Sequence, residues 1–192
     1  DEGITFVIVL SGILNDLRHQ TQVRLMKDLI GDHHNSLPRL STISTEGRKN
    51  WELLTSLEHD VKAVTREEIP ERMKKSIAAN RILVAVVKKN VTVLEHLLNG
   101  IKAAGEDLCG MHHVLIIDDE ADHATVNTGG DGDIELHDPD LESEDEDLND
   151  TAETDPSRTN QIVRRIIRAF NHSAYVGYTA TPFANVLIDE KL

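Results

Sequence analysis

A chain of 192 residues, 39% hydrophobic but only 3% aromatic, suits one domain with an aliphatic core. Its single cysteine, Cys109, excludes a disulfide framework within the chain and fits a reducing compartment; no apolar run approaches a membrane span, so no membrane partner is expected and a cytoplasmic location is the default. The net charge of −14 is local: Asp118 to Ser157 holds 17 acids and no Lys or Arg, while the remaining 17 acids face 20 bases, a balance of +3 that leaves nucleic-acid binding open.

Ile4-Thr5-Phe6-Val7-Ile8-Val9-Leu10 reads as a strand, turned by Ser11-Gly12. Ile13 to Ile30 reads as a helix with an imperfect stripe of Ile13, Leu14, Leu17, Leu25, Leu29 and Ile30, and with Arg18, Gln20, Gln22 and Arg24 on a solvated face. Gly31 to Pro38 is a loop whose adjacent His33 and His34 lack the i, i+4 spacing of a helical zinc site. A short strand at Leu40 to Ile43, a short helix at Asn50 to Leu57, a short strand at Val61 to Val64 and a charged helix around Ile69 to Ala79 follow. Arg81 to Val87 is β-branched and apolar, a buried strand ending in Lys88-Lys89-Asn90, where positive charge suits phosphate contacts. Val91 to Ala104 is a helix with Leu94, Leu97, Leu98 and Ile101 on one face, and Gly105 to His113 is a loop holding Cys109 as a buried, inert thiol.

Val114-Leu115-Ile116-Ile117 is apolar throughout, as in a strand buried on both faces, and it ends abruptly in Asp118-Asp119-Glu120-Ala121-Asp122. Residues 127–157 combine dense acidic charge with little hydrophobicity and are expected to be a disordered insert, without the ligand pattern of an EF-hand. Thr159 or Asn160 can cap a helix running to Phe170, with Ile162, Val163, Ile166, Ile167 and Phe170 as its stripe and Arg164, Arg165 and Arg168 facing solvent. Ala174 to Tyr178 is a further strand, stopped by Thr179-Ala180-Thr181-Pro182. Strands alternating with helices predict an α/β fold with a three-layer parallel sheet, and ligands bind such sheets at the carboxyl ends of the strands. One acidic and one hydroxyl-rich strand end therefore suggest one site.

Asp119-Glu120-Ala121-Asp122 resembles motif II, the Walker B type, of superfamily II helicases and translocases, and Thr179-Ala180-Thr181-Pro182 resembles their motif III. The longer phrases, Ile117 to His123 and Gly177 to Asn185, are similar to the branch of bacterial endonucleases with a "Z-one" domain, which carry a helicase-like ATPase core. The resemblance implies a P-loop, RecA-like ATPase domain using ATP and Mg²⁺. Asp119 would hold the metal and Glu120 would be the catalytic residue that polarises the attacking water, so both, with Asp122, would bind the nucleotide. Asp122 would link the nucleotide site to the motif III turn of Thr179, Ala180 and Thr181. Ser11, Gly12, Lys88 and Lys89 would face nucleic acid, DNA ahead of RNA. No G-x-x-x-x-G-K-[ST] loop occurs among these residues. The resemblance puts that loop upstream of Asp1 and a second RecA-like domain downstream of Leu192, so the chain is expected to be a partial ATPase domain, inactive alone.

Asp118 leaves the register open, since Asp118 and Asp119 could take the metal and water roles instead. The same acids admit another reading, a Mg²⁺-dependent nuclease on Asp118, Asp119, Glu120 and Asp122, although no Glu-x-Lys arrangement follows. A non-catalytic nucleic-acid-binding domain is a further alternative. A receiver-like signalling module also places paired acids at a strand end, but fits the Thr-Ala-Thr-Pro turn and the acidic insert poorly.

Overall fold

The computed structural model describes residues 3–27, 51–119, 121 and 156–179. Their elements run β1 (Phe6–Ser11), α1 (Asn15–Leu25), β2 (Trp51–Leu53), a 3₁₀ turn (Val61–Ala63), α2 (Glu68–Ala78), β3 (Ile82–Lys88), α3 (Val91–Ala103), α4 (Gly105–Gly110), β4 (His113–Asp119), α5 (Pro156–Arg168) and β5 (His172–Tyr178). The fold is α/β, and the five strands form one sheet in the order β2-β3-β1-β4-β5 with every pair parallel.

Both faces of the central strands are covered, which is why those strands are apolar without alternation. On one face, Phe6, Ile8 and Leu10 of β1 pack with Leu83, Ala85 and Val87 of β3 against Met73 of α2, Leu94, Leu97 and Leu98 of α3, and Ile162 and Ile166 of α5. On the other face, Val7 and Val9 meet Val84, Val86, Leu25 and Met26. The helix after β1 thus lies on the opposite side from the helices before and after β3. Right-handed crossovers require this, because the chain leaves β1 toward the β2 edge and leaves β3 and β4 toward the β5 edge. The sheet order changes direction around β1, and the crevice at such a switch point lies outside the carboxyl ends of the strands. A receiver module has the order 2-1-3-4-5, which this sheet does not share.

Several local expectations are corrected. Trp51–Leu53 is a strand, not part of a helix, since it pairs with Ile82–Val84 and Leu54 N–H extends the contact to Val84 C=O at 2.7 Å; a segment this short cannot repay helix nucleation on its own. Val61–Ala63 is a 3₁₀ turn rather than a strand, started by Asp60, whose Oδ1 accepts from Val61 N–H at 2.6 Å. Residues 105–110, expected as loop, form α4, separated from α3 by Gly105 at φ +79, a conformation glycine adopts without a Cβ penalty. α5 begins at Pro156, well before the expected caps, so Thr159 and Asn160 lie inside it and are buried; proline suits the first helical turn, where its missing N–H costs nothing.

The largest departure is α1. Ile13 and Leu14 are exposed, and the helix buries Arg18 and Gln22 beside Leu25 instead. Arg18 donates to Ser56 C=O at 2.9 Å and Leu57 C=O at 2.8 Å, and so fastens α1 to the segment after β2. Cys109 is buried, as expected, with Sγ 3.4 Å from Ile101 C=O, and burial raises its pKa. The expected loop with His33 and His34, the expected strand at 40–43 and nearly all of the acidic insert lie outside the described residues; Pro156 and Ser157, the last residues assigned to the insert, belong to α5. No helix among the described residues is long and apolar enough to cross a membrane.

Candidate functional site

The strand register collects most of the singled-out residues along one edge. Ser11, the last residue of β1, pairs with Lys88 of β3, Leu10 pairs with Asp118 of β4, and Asp119 pairs with Tyr178 of β5. Neighbouring strands lie about 4.8 Å apart, so the ends of β3, β1, β4 and β5 form one continuous carboxyl edge.

Strand alternation separates the two aspartates. Along β4, Val114, Ile116 and Asp118 are buried toward α3 and α5, while Asp119 points the other way and is exposed. Asp118 is fully enclosed, and both of its oxygens are engaged. Lys89 Nζ donates to Oδ1 at 2.9 Å, and the Tyr175 hydroxyl donates to Oδ2 at 2.6 Å. Lys89 is equally enclosed, and its ammonium also donates to the main-chain carbonyl of Asp119 at 2.7 Å. Its own N–H donates to Ser11 C=O at 3.2 Å. Asn90 follows at once as the cap of α3, its Oδ1 accepting from Val93 N–H at 3.2 Å. Lys89 therefore ties the end of β1 to the end of β4 and, through Asp118 and Tyr175, to β5.

This arrangement corrects two expectations. The ammonium of Lys89 does not face outward toward phosphate, because its charge is enclosed with that of Asp118. Ser11 and Gly12 are buried as well, and the Ser11 hydroxyl donates to Val87 C=O at 3.1 Å. Lys88 alternates to the other side of the strand and is half-buried near Asp60. Burial raises the Asp60 pKa; the Val61 N–H, Arg18 and Lys88 pull it back down without cancelling that effect.

Ala121, just past the acidic strand end, approaches β5: a Cβ built on Gly177 would stand 3.0 Å from the Ala121 Cβ. Close approach, rather than an unusual backbone angle, explains glycine at position 177. Thr179 is half-buried just beyond this contact. Glu120, Asp122, Ala180 and Thr181 lie outside the described residues. Among the described residues, no group of three or more His, Cys, Asp or Glu side chains is placed to hold a metal ion.

Sequence reasoning missed the roles of Lys89 and Tyr175. The available signal was positional: a lysine wedged between an apolar strand and an apolar helix has little route to solvent. Comparisons with protein-family models, with curated proteins and with solved structures found no match to this chain.

Proposed function

We infer that the chain carries the acidic half of a RecA-like ATPase site, of the kind found in superfamily II helicases and translocases. The observation that carries this reading is the division of labour at the end of β4. Asp118 is enclosed by Lys89 and Tyr175, and Asp119 is exposed at the carboxyl edge. This supports Asp119, rather than Asp118, as the metal-facing acid, in agreement with the fit of Glu120-Ala121-Asp122 to motif II.

Mg²⁺ keeps several of its waters and is held by one or two carboxylates together with substrate phosphates. The exposed strand-end carboxylate of Asp119 fits that donor set. Bound there, Mg²⁺ would neutralise charge on the triphosphate. Glu120 takes the water-polarising role by its place in the motif, and Asp122 with Thr179, Ala180 and Thr181 takes the coupling role. The closeness of Ala121 to Gly177 of β5 supports such coupling. Upstream phosphate-loop residues, a downstream second RecA-like domain and DNA as partner belong to the same proposal.

The nuclease alternative needs Asp118 among its ligands, and both Asp118 oxygens already accept hydrogen bonds. The motor reading needs only Asp119 and Glu120. ATP hydrolysis by the full-length protein, with and without duplex DNA, tests it beside Glu120→Gln. The expected result is DNA-stimulated turnover that the variant loses while it still binds ATP. Equal turnover by parent and variant, or none by either, would sink the reading.

A further inference from the structure

We propose that Lys89 is a positioning residue for the acidic strand end, setting the main chain of Asp119 so that its carboxylate is presented to a divalent cation. The inference rests on Asp119 being the metal-facing acid, and it adds the group that holds it in place.

The geometry is specific. A lysine ammonium has three N–H donors and no acceptor. In Lys89 two of its contacts are Asp118 Oδ1 at 2.9 Å and the Asp119 carbonyl at 2.7 Å. The first neutralises the buried Asp118 carboxylate on the opposite side of the strand and keeps the end of β4 in place. The second holds the main-chain carbonyl of Asp119 itself. Tyr175 steadies the far side of Asp118 at 2.6 Å, and the Lys89 backbone is anchored to Ser11 at 3.2 Å. None of these charged atoms is solvated: the Lys89 and Asp118 side chains are 0% exposed. A solvated lysine would wander among rotamers, whereas this one is held from both ends. Groups that orient a metal ligand without touching the metal typically change affinity by about 10–100-fold when removed.

The test is Mn²⁺ binding to the full-length protein, followed by the loss of the free-ion paramagnetic resonance signal, in four variants. Asp119→Asn defines the site as the Mn²⁺ equivalent that disappears. Lys89→Met leaves the buried Asp118 carboxylate without the Lys89 ammonium and can fail to fold, so Lys89→Met/Asp118→Asn is made beside it. That pair removes both charges, keeps an acceptor for Tyr175, and loses the hold on the Asp119 carbonyl together with the Lys89–Asp118 bond. Tyr175→Phe keeps both Lys89 contacts. The expected result is Mn²⁺ affinity at the Asp119 site weakened about tenfold or more in the double variant and less than about threefold in Tyr175→Phe, with a matching rise in the Mg²⁺ concentration for half-maximal ATP hydrolysis. Parental or tighter affinity in a folded double variant would overturn the positioning role alone. If Asp119→Asn loses no Mn²⁺ equivalent, the assignment of Asp119 falls, and the positioning role with it.

Discussion

Thr55 Oγ1 stands between Gln22 of α1 and Val86 of β3, donating to Gln22 Oε1 at 2.9 Å and accepting from Val86 N–H at 2.8 Å. One hydroxyl thus completes the hydrogen bonding where β2 stops short of β3 and joins the sheet to the polar face of α1. Removing it leaves a buried N–H without an acceptor. Thr55→Val, nearly the same in shape, is therefore expected to destabilise the fold by about 1–3 kcal/mol. Gln22→Leu should cost less, because Gln22 Nε2 is already buried without a partner, and the Thr55 hydroxyl still accepts from Val86. Urea unfolding of the two variants checks the ranking.

Gly100 sits in the middle of α3 where alanine would ordinarily favour the helix by about 1 kcal/mol. Here a Cβ would meet Ile69 Cδ1 and stand 2.9 Å from Ile69 Cβ. The second contact is near the Ile69 backbone and cannot be relieved by rotating the side-chain end alone. Gly100→Ala is expected to destabilise by about 1–3 kcal/mol, overpacking outweighing propensity. In Gly100→Ala/Ile69→Ala the two losses should be less than additive, a coupling that a thermal or urea double-mutant cycle would read directly.

His112 is fully buried, with Nδ1 3.1 Å from Thr5 Oγ1 and its ring edge-on to Phe6 at a centroid distance of 5.8 Å. Burial lowers its pKa below the ordinary 6.5. The unfolded chain then takes up a proton at a pH where the folded chain resists it. The stability is fully present above the ordinary value and is lost as pH falls through the lowered one. The urea midpoint should fall between about pH 7.5 and about pH 5.5, with a shallower fall in His112→Phe. Asp60, whose raised pKa favours the folded state as acid protonates it, is common to both proteins and does not affect the comparison. An equal fall in both would place the titration elsewhere.

What was legible in the sequence was the part decided by long apolar runs. β3, β4 and α3 were read to within a residue or two, because Arg81 to Val87, Val114 to Ile117 and Val91 to Ala104 have patterns that few structures other than buried strands and a packed helix can satisfy. The sheet's parallel direction followed from the alternation of elements. α1 was misread because its burial is polar: Arg18 and the Gln22 side-chain oxygen are met by carbonyls and a hydroxyl from residues 55–57, partners separated from them by more than 30 residues. Lys89 was misread for the same reason. Its counter-charge, Asp118, is 29 residues away in sequence, and only the register of β1 between β3 and β4 brings them level. Charge on a strand end says that a partner is needed; it does not say whether that partner is solvent, phosphate or a carboxylate from within the fold.

Gly177 offers a last prediction, one that separates coupling from stability. Its hydrogen faces the Ala121 Cβ, so Gly177→Ala would place two methyl carbons 3.0 Å apart, closer than van der Waals contact. The sheet pairing of β5 with β4 spans seven residue pairs and resists displacement, whereas Ala121 lies beyond the end of β4. Strain should therefore move Ala121 by a few tenths of an ångström and carry Glu120 with it, leaving the sheet in place. Misplacing a catalytic group by about 1 Å can cost about 100-fold in rate; with Glu120 in its proposed water-polarising role, a smaller shift is expected to lower ATP turnover by roughly severalfold to tenfold. The thermal midpoint should change little, since β5 is exposed along its whole length and the added methyl adds no buried cavity. A variant with parental turnover and a much lower midpoint would show that the strain falls on the sheet and that Ala121 is fixed more firmly than its position suggests.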